Sequence, residues 1–363
     1  TTGSLDTRGQ LEDSAGAVLA RDDDGGDGYN FRLAHTVSAG TYYIKVEGYN
    51  ASTTGGYTIH ASGPGGDDGD DGGLGAPNGI ALDVAAGKMY WTATAADRIQ
   101  RANLGGSQVE TLVSTGLENP FGIALDVATG KMYWTDNVAG RLQRANLDGS
   151  QVETLVSTGL EVPVGIALDV AAGKMYWTDT VAARIQRANL DGSQVETLVD
   201  GLDSPDGIAL DVAAGKMYWT EWGTVRIQRA NLDGSQVETL VSTGLEFPVG
   251  IALDVTTGKM YWTDIAADRL QRANLDGSQV ETLVSTGLEV PVGIALDVAA
   301  GKMYWTDTVA ARIQRANLDG SQVETLVAKD PSDGGGDGDA ISVSISGSLY
   351  PASNLLNRKR PVE

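Results

Sequence analysis

An aspartate recurs at nearly constant spacing through the middle of this chain of 363 residues. It ends the motif GIALD in each of six copies, which stand 42 or 43 residues apart. The six residues are Asp83, Asp126, Asp169, Asp211, Asp254 and Asp297. Carboxylates that converge on one channel can bind a hard metal ion, and a bound metal can drive hydrolysis. Metal-dependent hydrolysis is therefore one chemistry that these residues leave open.

Other catalytic groups are scarce. The chain has no cysteine, which excludes disulfide bonds and thiolate zinc sites, and its two histidines are His35 and His60. Both precede the repeated region and lie on predicted strands, where a packed or surface histidine is the ordinary interpretation. Thiol and imidazole catalysis within the repeats is therefore excluded.

The symmetry of the repeats argues against an active site. Residues 157–199 are repeated letter for letter at 285–327. Catalysis needs distinct groups with different pKa values around one reacting atom, whereas a repeated ring offers similar environments. We therefore predict that the six aspartates are structural and accept hydrogen bonds from backbone or arginine groups. Most copies have a second aspartate at the end of KMYWTD, such as Asp179, with an arginine a few residues later. We expect these aspartates to form ion pairs with the arginines.

Each repeat has the pattern of four short strands. In the third copy, runs rich in apolar and β-favouring residues fall at 165–170, 174–178, 184–189 and 195–199, with Gly or Asp turns between them. The runs are too short for amphipathic helices. A period in the forties with four strands per unit is typical of a propeller blade, so we predict an all-β, six-bladed β-propeller. Neighbouring blades would bury the Trp that recurs in every copy.

The motifs KMYWTD, RIQRANLDGS and GIALD occur in the same order six times over about residues 79–327. Together they resemble the low-density lipoprotein receptor class B, or YWTD, repeat. The resemblance implies a six-bladed propeller that serves as an extracellular binding platform, engaging protein ligands through one face. Copy one departs from the pattern at Ala93 and at Gly105, and copy four at Glu221. Because every copy is complete, we expect packing alone to close the ring, unless the run 341–345 adds a strand.

The composition limits the partners. With 26 basic and 48 acidic residues the formal net charge is −22. Binding to nucleic acid or to an anionic membrane needs clustered Lys and Arg, so neither is expected. The sequence has no apolar run long enough to insert in a membrane. A first residue other than Met indicates a processed product or a fragment, and we expect a monomer within a larger modular chain.

The first 62 residues have a pattern of their own. Strands are predicted at 10–11, 17–20, 31–37, 41–48 and 56–60, and residues 42–47 alternate between two faces. This pattern predicts a small N-terminal β-sandwich. The strings SLDTRGQLEDSAG and TYYIKVEGY resemble a truncated bacterial pre-peptidase C-terminal (PPC) domain, which implies an accessory module of secreted or cell-surface proteins.

One acidic loop in this module has the composition of a calcium site. Asp22, Asp24 and Asp27 lie in the string DDDGGD, and calcium binds several carboxylate and carbonyl oxygens. The spacing is not that of an EF-hand, so an exposed turn is the alternative. No other cofactor is expected.

Composition also sets the domain boundaries. We expect the sandwich at 1–62, an acidic Gly/Asp linker at 63–73 and the propeller at 74–328. A second acidic linker follows at 329–339, and an incomplete or disordered tail at 340–363.

Function is expected where the copies differ. Copy four has a one-residue deletion, the acidic residues Asp203 and Asp206, and Glu221-Trp222-Gly223 where other copies read Asp-Thr-Val. Trp222 lies outside the YWT motif and should meet Phe247 of the next blade. Exposed aromatics flanked by carboxylates are typical of interaction hot spots. The predicted ligand-binding residues are Trp222, Phe247, Asp206, Glu221, Phe121 and Asp203.

The sequence therefore predicts a non-enzymatic, secreted recognition or adhesion module that binds a protein or glycan on one face of the propeller. Two alternatives stay open. One is a metal-dependent hydrolase of the six-bladed lactonase type, which would use a carboxylate site in the channel. The other is an architectural spacer within a larger surface protein.

Overall fold

The computed structural model describes residues 74–328 in full and, outside that range, the backbone of five strands. The chain divides into two compact units, one of residues 1–70 with 330–363 and one of residues 71–329. The described residues include no helix long and apolar enough to span a membrane.

The first unit contains β1 (Thr7–Asp13), β2 (Val18–Asp22), β3 (Thr36–Val37) and β4 (Tyr42–Gly48). Strand β1 lies between β2 and β4 in an antiparallel sheet. Strand β3 pairs with the last described strand, β29 (Ile341–Ser342), so part of the run at 341–345 forms a strand of the first unit. The second sheet of the predicted sandwich, the strand at 56–60, and the side chains of the calcium loop at Asp22, Asp24 and Asp27 lie outside the described residues.

The second unit is a six-bladed β-propeller, and each blade is a four-stranded antiparallel sheet whose strands follow one another in chain order. Blades one to three are formed by β5 (Pro77–Asp83), β6 (Lys88–Ala93), β7 (Arg98–Asn103), β8 (Glu110–Val113); β9 (Pro120–Asp126), β10 (Lys131–Asp136), β11 (Arg141–Asn146), β12 (Glu153–Val156); β13 (Pro163–Asp169), β14 (Lys174–Asp179), β15 (Arg184–Asn189) and β16 (Glu196–Asp200). Blades four to six are formed by β17 (Pro205–Asp211), β18 (Lys216–Glu221), β19 (Arg226–Asn231), β20 (Glu238–Val241); β21 (Pro248–Asp254), β22 (Lys259–Asp264), β23 (Arg269–Asn274), β24 (Glu281–Val284); β25 (Pro291–Asp297), β26 (Lys302–Asp307), β27 (Arg312–Asn317) and β28 (Glu324–Ala328).

The repeated Tyr and Trp form the core between blades. In the cluster between blades one and two, Tyr90 and Ile99 of the first blade pack with Met132 and Trp134 of the second. All six motif tryptophans are fully buried. Burying an indole removes roughly 150 to 250 Å² from water, about 4 to 6 kcal/mol each as an upper bound. The prediction that these residues are core is confirmed.

The threonine of the YWT motif connects neighbouring blades at the channel. Thr135 Oγ1 accepts a hydrogen bond from Gly122 N of its own blade and donates one to the carbonyl of Val164 in the next, at 2.8 and 2.6 Å. A Cβ on Gly122 would lie 2.3 Å from that same carbonyl oxygen. Only glycine leaves room for adjacent first strands to approach this closely.

Blade six joins blade one through the same contacts as every other pair. Thr306 Oγ1 donates to the carbonyl of Asn78 at 2.5 Å, and Arg315 Nη1 donates to the carbonyl of Leu104 at 3.1 Å. Tyr304 packs in one cluster with Trp91. The ring therefore closes between two complete blades, by the packing that the sequence predicted and by hydrogen bonds as well.

Candidate functional site

Two sets of loops meet on one side of the propeller, which we call the top face. They are the loops between the second and third strands of each blade and the loops that enter each first strand. Trp222 N donates to Ser204 O at 3.3 Å, and Ile265 N donates to Phe247 O at 3.0 Å, so the two sets lie side by side. The variable residues of the repeats therefore lie together, as the sequence predicted.

An aromatic pair bridges blades four and five on this face. The rings of Trp222 and Phe247 stack with centroids 4.8 Å apart and planes inclined by 11°. Both side chains are partly exposed. The predicted contact between the two aromatics is confirmed, and Trp222 is not enclosed within its own blade.

A carboxylate lies next to the aromatic pair because the neighbouring loop residue is glycine. A Cβ on Gly223 would lie 2.1 Å from Asp203 Oδ1, so any larger residue would displace this side chain. Asp203 is exposed. The predicted combination of exposed aromatic and acidic side chains is present at Trp222, Phe247 and Asp203.

Glu221 does not belong to this surface. Its side chain is fully buried and pairs with Arg226 at 2.9 Å. Its Oε1 accepts the indole N–H of Trp219 at 3.0 Å, and its Oε2 accepts the backbone N–H of Asp203 at 3.0 Å. The prediction that Glu221 contacts a ligand was wrong, because it is the last residue of a strand and its carboxylate holds the blade together.

Asp206 and Phe121 line a cavity of about 80 Å³ at the end of the channel where the first strands begin. The strand starts lie against the loops of the top face, so the cavity opens on the same side as Trp222. The Asp206 side chain is buried. Burial raises the pKa of its carboxyl to about 7.

Asn78 was missed as a site residue. It occupies in blade one the position that Asp206 occupies in blade four, and it too lines the cavity. Its Oδ1 is buried and accepts no hydrogen bond from any described residue. The sequence does carry an indication of its role, because blades three, five and six have Val where blade one has the polar Asn78.

The six aspartates of GIALD are structural and accept backbone hydrogen bonds, as the sequence predicted. Asp169 Oδ1 accepts the backbone N–H of Ala172 at 2.9 Å, and the other five accept equivalent bonds within their own turns. None of them lines the cavity. The expected pairs of the second aspartate set are also present, for example Asp179 with Arg184 at 3.1 Å. Among the described residues no group of three or more His, Cys, Asp or Glu is placed to hold a metal.

The contrast in burial makes Trp222 measurable without a ligand. The other six tryptophans, Trp91, Trp134, Trp177, Trp219, Trp262 and Trp305, are fully buried. Acrylamide should therefore quench one emitting residue readily, and the Trp222→Thr variant, which takes the residue of blade three, should lose that fraction. Equal quenching of the variant and the parent would show that Trp222 is covered.

Two family models match the propeller. The model of the Virginiamycin B lyase family matches residues 73–257. The model of the low-density lipoprotein receptor repeat class B matches residues 258–298 and 301–343. A search of curated proteins found no match.

Solved structures share the fold. A nidogen/laminin complex contains a chain with 25% identity and a TM-score of 0.61, and the match covers 72% of this chain and 98% of that one. Virginiamycin B lyase from Staphylococcus aureus has 18% identity and a TM-score of 0.56, with 80% and 99% of the two chains covered. A streptogramin B lyase has 17% identity and a TM-score of 0.56, with 80% and 98% covered. The two lyase structures show likeness of fold alone.

Proposed function

The chain belongs to the Virginiamycin B lyase family by its match over residues 73–257, and from its class B repeats we propose that it is a binding module rather than an enzyme. Its ligand would be a protein that docks on the top face at blades four and five. The observation that carries the proposal is the stacked, partly exposed pair of Trp222 and Phe247.

The aromatic pair has the properties of an interaction hot spot. Because the two rings stack, each already restricts the movement of the other. A ligand that covers them therefore costs little additional side-chain entropy. Indole and phenyl groups contribute most to the binding free energy when the contacts around them exclude water. In this chain the acidic Asp203 would lie at the rim of such a contact and favour a ligand with a basic residue beside an apolar one.

A protein fits the top face better than a glycan does. Val181 and Val309 are 62% and 65% exposed in the corresponding loops of blades three and six, which flank blades four and five. Together with the aromatic pair, these exposed apolar groups extend over neighbouring blades and match the apolar core of a protein–protein interface. The similar chain reported above was solved as part of a nidogen/laminin complex, which supports protein binding by analogy.

An extracellular location is part of the proposal. The class B repeat takes its name from the low-density lipoprotein receptor, and this repeat model matches the last blades. The large negative net charge makes molecules of this chain repel one another, which favours solubility outside the cell.

Panning a phage-displayed peptide library against the intact chain tests the proposal, with a glycan array in parallel. Trp222→Thr and Phe247→Val install the residues that blade three has at these positions, so both variants should fold. We expect each to weaken the selected peptides at least about thirtyfold in Kd, equivalent to about 2 kcal/mol. Val212→Thr, which is 43% exposed in the turn at the opposite end of blade four, is the matched control and should change Kd less than about threefold.

Three results would overturn the proposal. Peptides whose affinity is unchanged by both Trp222→Thr and Phe247→Val would place binding elsewhere. Hits confined to the glycan array would replace the protein with a sugar. An absence of hits in both screens would favour the architectural spacer.

A second candidate is a lyase that acts at the channel cavity. The family match favours it, and so does Asp206, whose pKa of about 7 suits a general base at neutral pH. The aspartates of GIALD are committed to turns, so the channel hydrolase based on them is not proposed. Incubating the chain with virginiamycin B tests the lyase directly. Cleavage that is lost in Asp206→Val would establish it, whereas an intact substrate would reject it.

A further inference from the structure

Two polar residues interrupt an apolar ring at the channel cavity. The residue after the first proline of each blade is Asn78, Phe121, Val164, Asp206, Val249 and Val292 in turn. In a closed ring of six, blades one and four are opposite one another. Asn78 and Asp206 therefore face each other across the channel, while Phe121, Val164 and Val292 form apolar parts of the wall.

Both polar side chains are buried without the partners that buried groups normally have. Asn78 is 6% and Asp206 9% exposed. Asn78 Oδ1 accepts no hydrogen bond from any described residue. Desolvation alone shifts the pKa of Asp206, with no hydrogen bond or charge partner from a described residue contributing. A buried acceptor left unpaired destabilises a protein, and more so if it is charged. Asn78 and Asp206 both line the one cavity. An amide oxygen and a carboxylate without protein donors beside the same cavity indicate a ligand that donates hydrogen bonds.

We propose that this cavity binds one primary ammonium group, held between the Asp206 carboxylate and Asn78 Oδ1, with its alkyl stem against Phe121 and the valines. An ammonium supplies a positive charge and three N–H donors, which match one carboxylate and one amide oxygen. A cavity volume of about 10 to 15 Å³ is enough for one water molecule. The volume of about 80 Å³ therefore admits the ammonium group together with a short alkyl stem.

The donor set does not suit a divalent metal. Calcium takes six to eight oxygen ligands and magnesium near-ideal octahedral geometry. At this level of the channel the backbone carbonyls are already engaged, since those of Asn78 and Asp206 accept hydrogen bonds from Thr306 and Thr178 at 2.5 Å. Two side chains alone therefore favour a compact organic cation over a metal ion.

Protonation of Asp206 should control the binding. Among the described residues that line the cavity it is the sole ionisable one, the others being Asn, Phe, Val, Gly and Ile. Burial raises its pKa to about 7 from a value near 3.8. The folded chain therefore keeps a proton that the unfolded chain releases between about pH 4 and 7, and the free energy of unfolding falls as pH rises through that window. Amine affinity should rise over the same window and level off above it, because the carboxylate is the binding form.

The ammonium has two possible sources, a free alkylamine or a lysine side chain that reaches in from a ligand on the top face. The first does not depend on the protein ligand proposed above. A failure of peptide panning with retained amine binding would therefore reject the proposed function and leave the cavity site intact.

Calorimetric titration of the intact chain at pH 8 with n-butylammonium chloride tests the site. Asp206→Val and Asn78→Val each install the valine of blades three, five and six, so neither should disturb the fold. We expect millimolar binding by the parent, a loss of at least tenfold in Asp206→Val, and a loss of about threefold to tenfold in Asn78→Val. Val249→Ala, in the same ring outside the cavity lining, should bind as the parent does.

Parallel titrations separate the sources and exclude trivial binding. N-acetyl-lysine methylamide tests a lysine side chain, and 1-butanol tests the alkyl stem without charge. Binding of either amine with no binding of butanol supports the proposal. Equal affinity of parent and Asp206→Val, equal binding of potassium chloride, or binding of neither amine would overturn it. As a second measurement, Asp206→Val should raise the melting temperature at pH 8 by more than at pH 5, and equal shifts would contradict a buried carboxylate at this site.

Discussion

Gly250→Ala should destabilise the propeller by about 3 kcal/mol, because the new Cβ has no space at the channel. The ideal Cβ would lie 2.2 Å from the carbonyl oxygen of Val292 on the next blade. That oxygen belongs to the backbone and already accepts the hydroxyl of Thr263 at 2.6 Å, so it cannot move without opening the seam between blades. Thermal unfolding should shift down by about 6 to 12 °C, given about 2 to 4 °C per kcal/mol for a domain of this size.

Gly105→Ala is the matched control. Gly105 has an ordinary backbone angle and no heavy atom within 4 Å of an ideal Cβ. Its substitution should leave stability unchanged or raise it by up to about 1 kcal/mol through the unfolded state. If the two variants melt at the same temperature, the close approach of first strands does not hold the ring.

Asp179→Ala should cost about 3 kcal/mol, because it removes one partner of a buried pair. The carboxylate is fully buried, pairs with Arg184 and accepts the backbone N–H of Val162 at 2.9 Å. The change leaves both donors without that partner. Blade one does have Ala93 at this position, but there Leu74 packs against it in an apolar cluster, so blade three lacks the compensation.

Glu196→Ala serves as the control within the same blade. Glu196 also pairs with an arginine, Arg187, at 2.7 Å, but its side chain is 48% exposed. Solvent screens such a pair, so the expected loss is below about 1 kcal/mol. Chemical denaturation of the two variants measures the difference. Equal losses would mean that burial of the Asp179 pair does not matter to stability.

The blade could be predicted from sequence because every level of the pattern agrees. In copy three the predicted strand 184–189 coincides with β15, and the others agree to within about two residues at their ends. Trp177 lies opposite Ile166 and Gln186 in the sheet, so the motif fixes the register that buries it. Six repetitions of one unit then leave a ring as the arrangement that covers every face.

The site was predicted only in part, because its features depend on three-dimensional neighbours. Trp222 and Phe247 could be paired from the geometry of propeller loops. The burial of Glu221 could not be predicted from its residue type. Its side chain, longer than that of Asp, accepts the indole N–H of Trp219, whereas in blade one a Gln side chain accepts the equivalent indole N–H. Asn78 and Asp206 line the same cavity only when the ring has closed with six blades.

Hydrogen exchange of the intact chain, with and without a saturating peptide from the panning experiment, tests the central claim most directly. Binding on the top face at blades four and five predicts slowed exchange in segments 203–206, 222–225 and 246–248, with the same loops of blades one and two unchanged. Protection confined to the turns at the opposite ends of the strands, such as 170–173 and 212–215, would contradict the account.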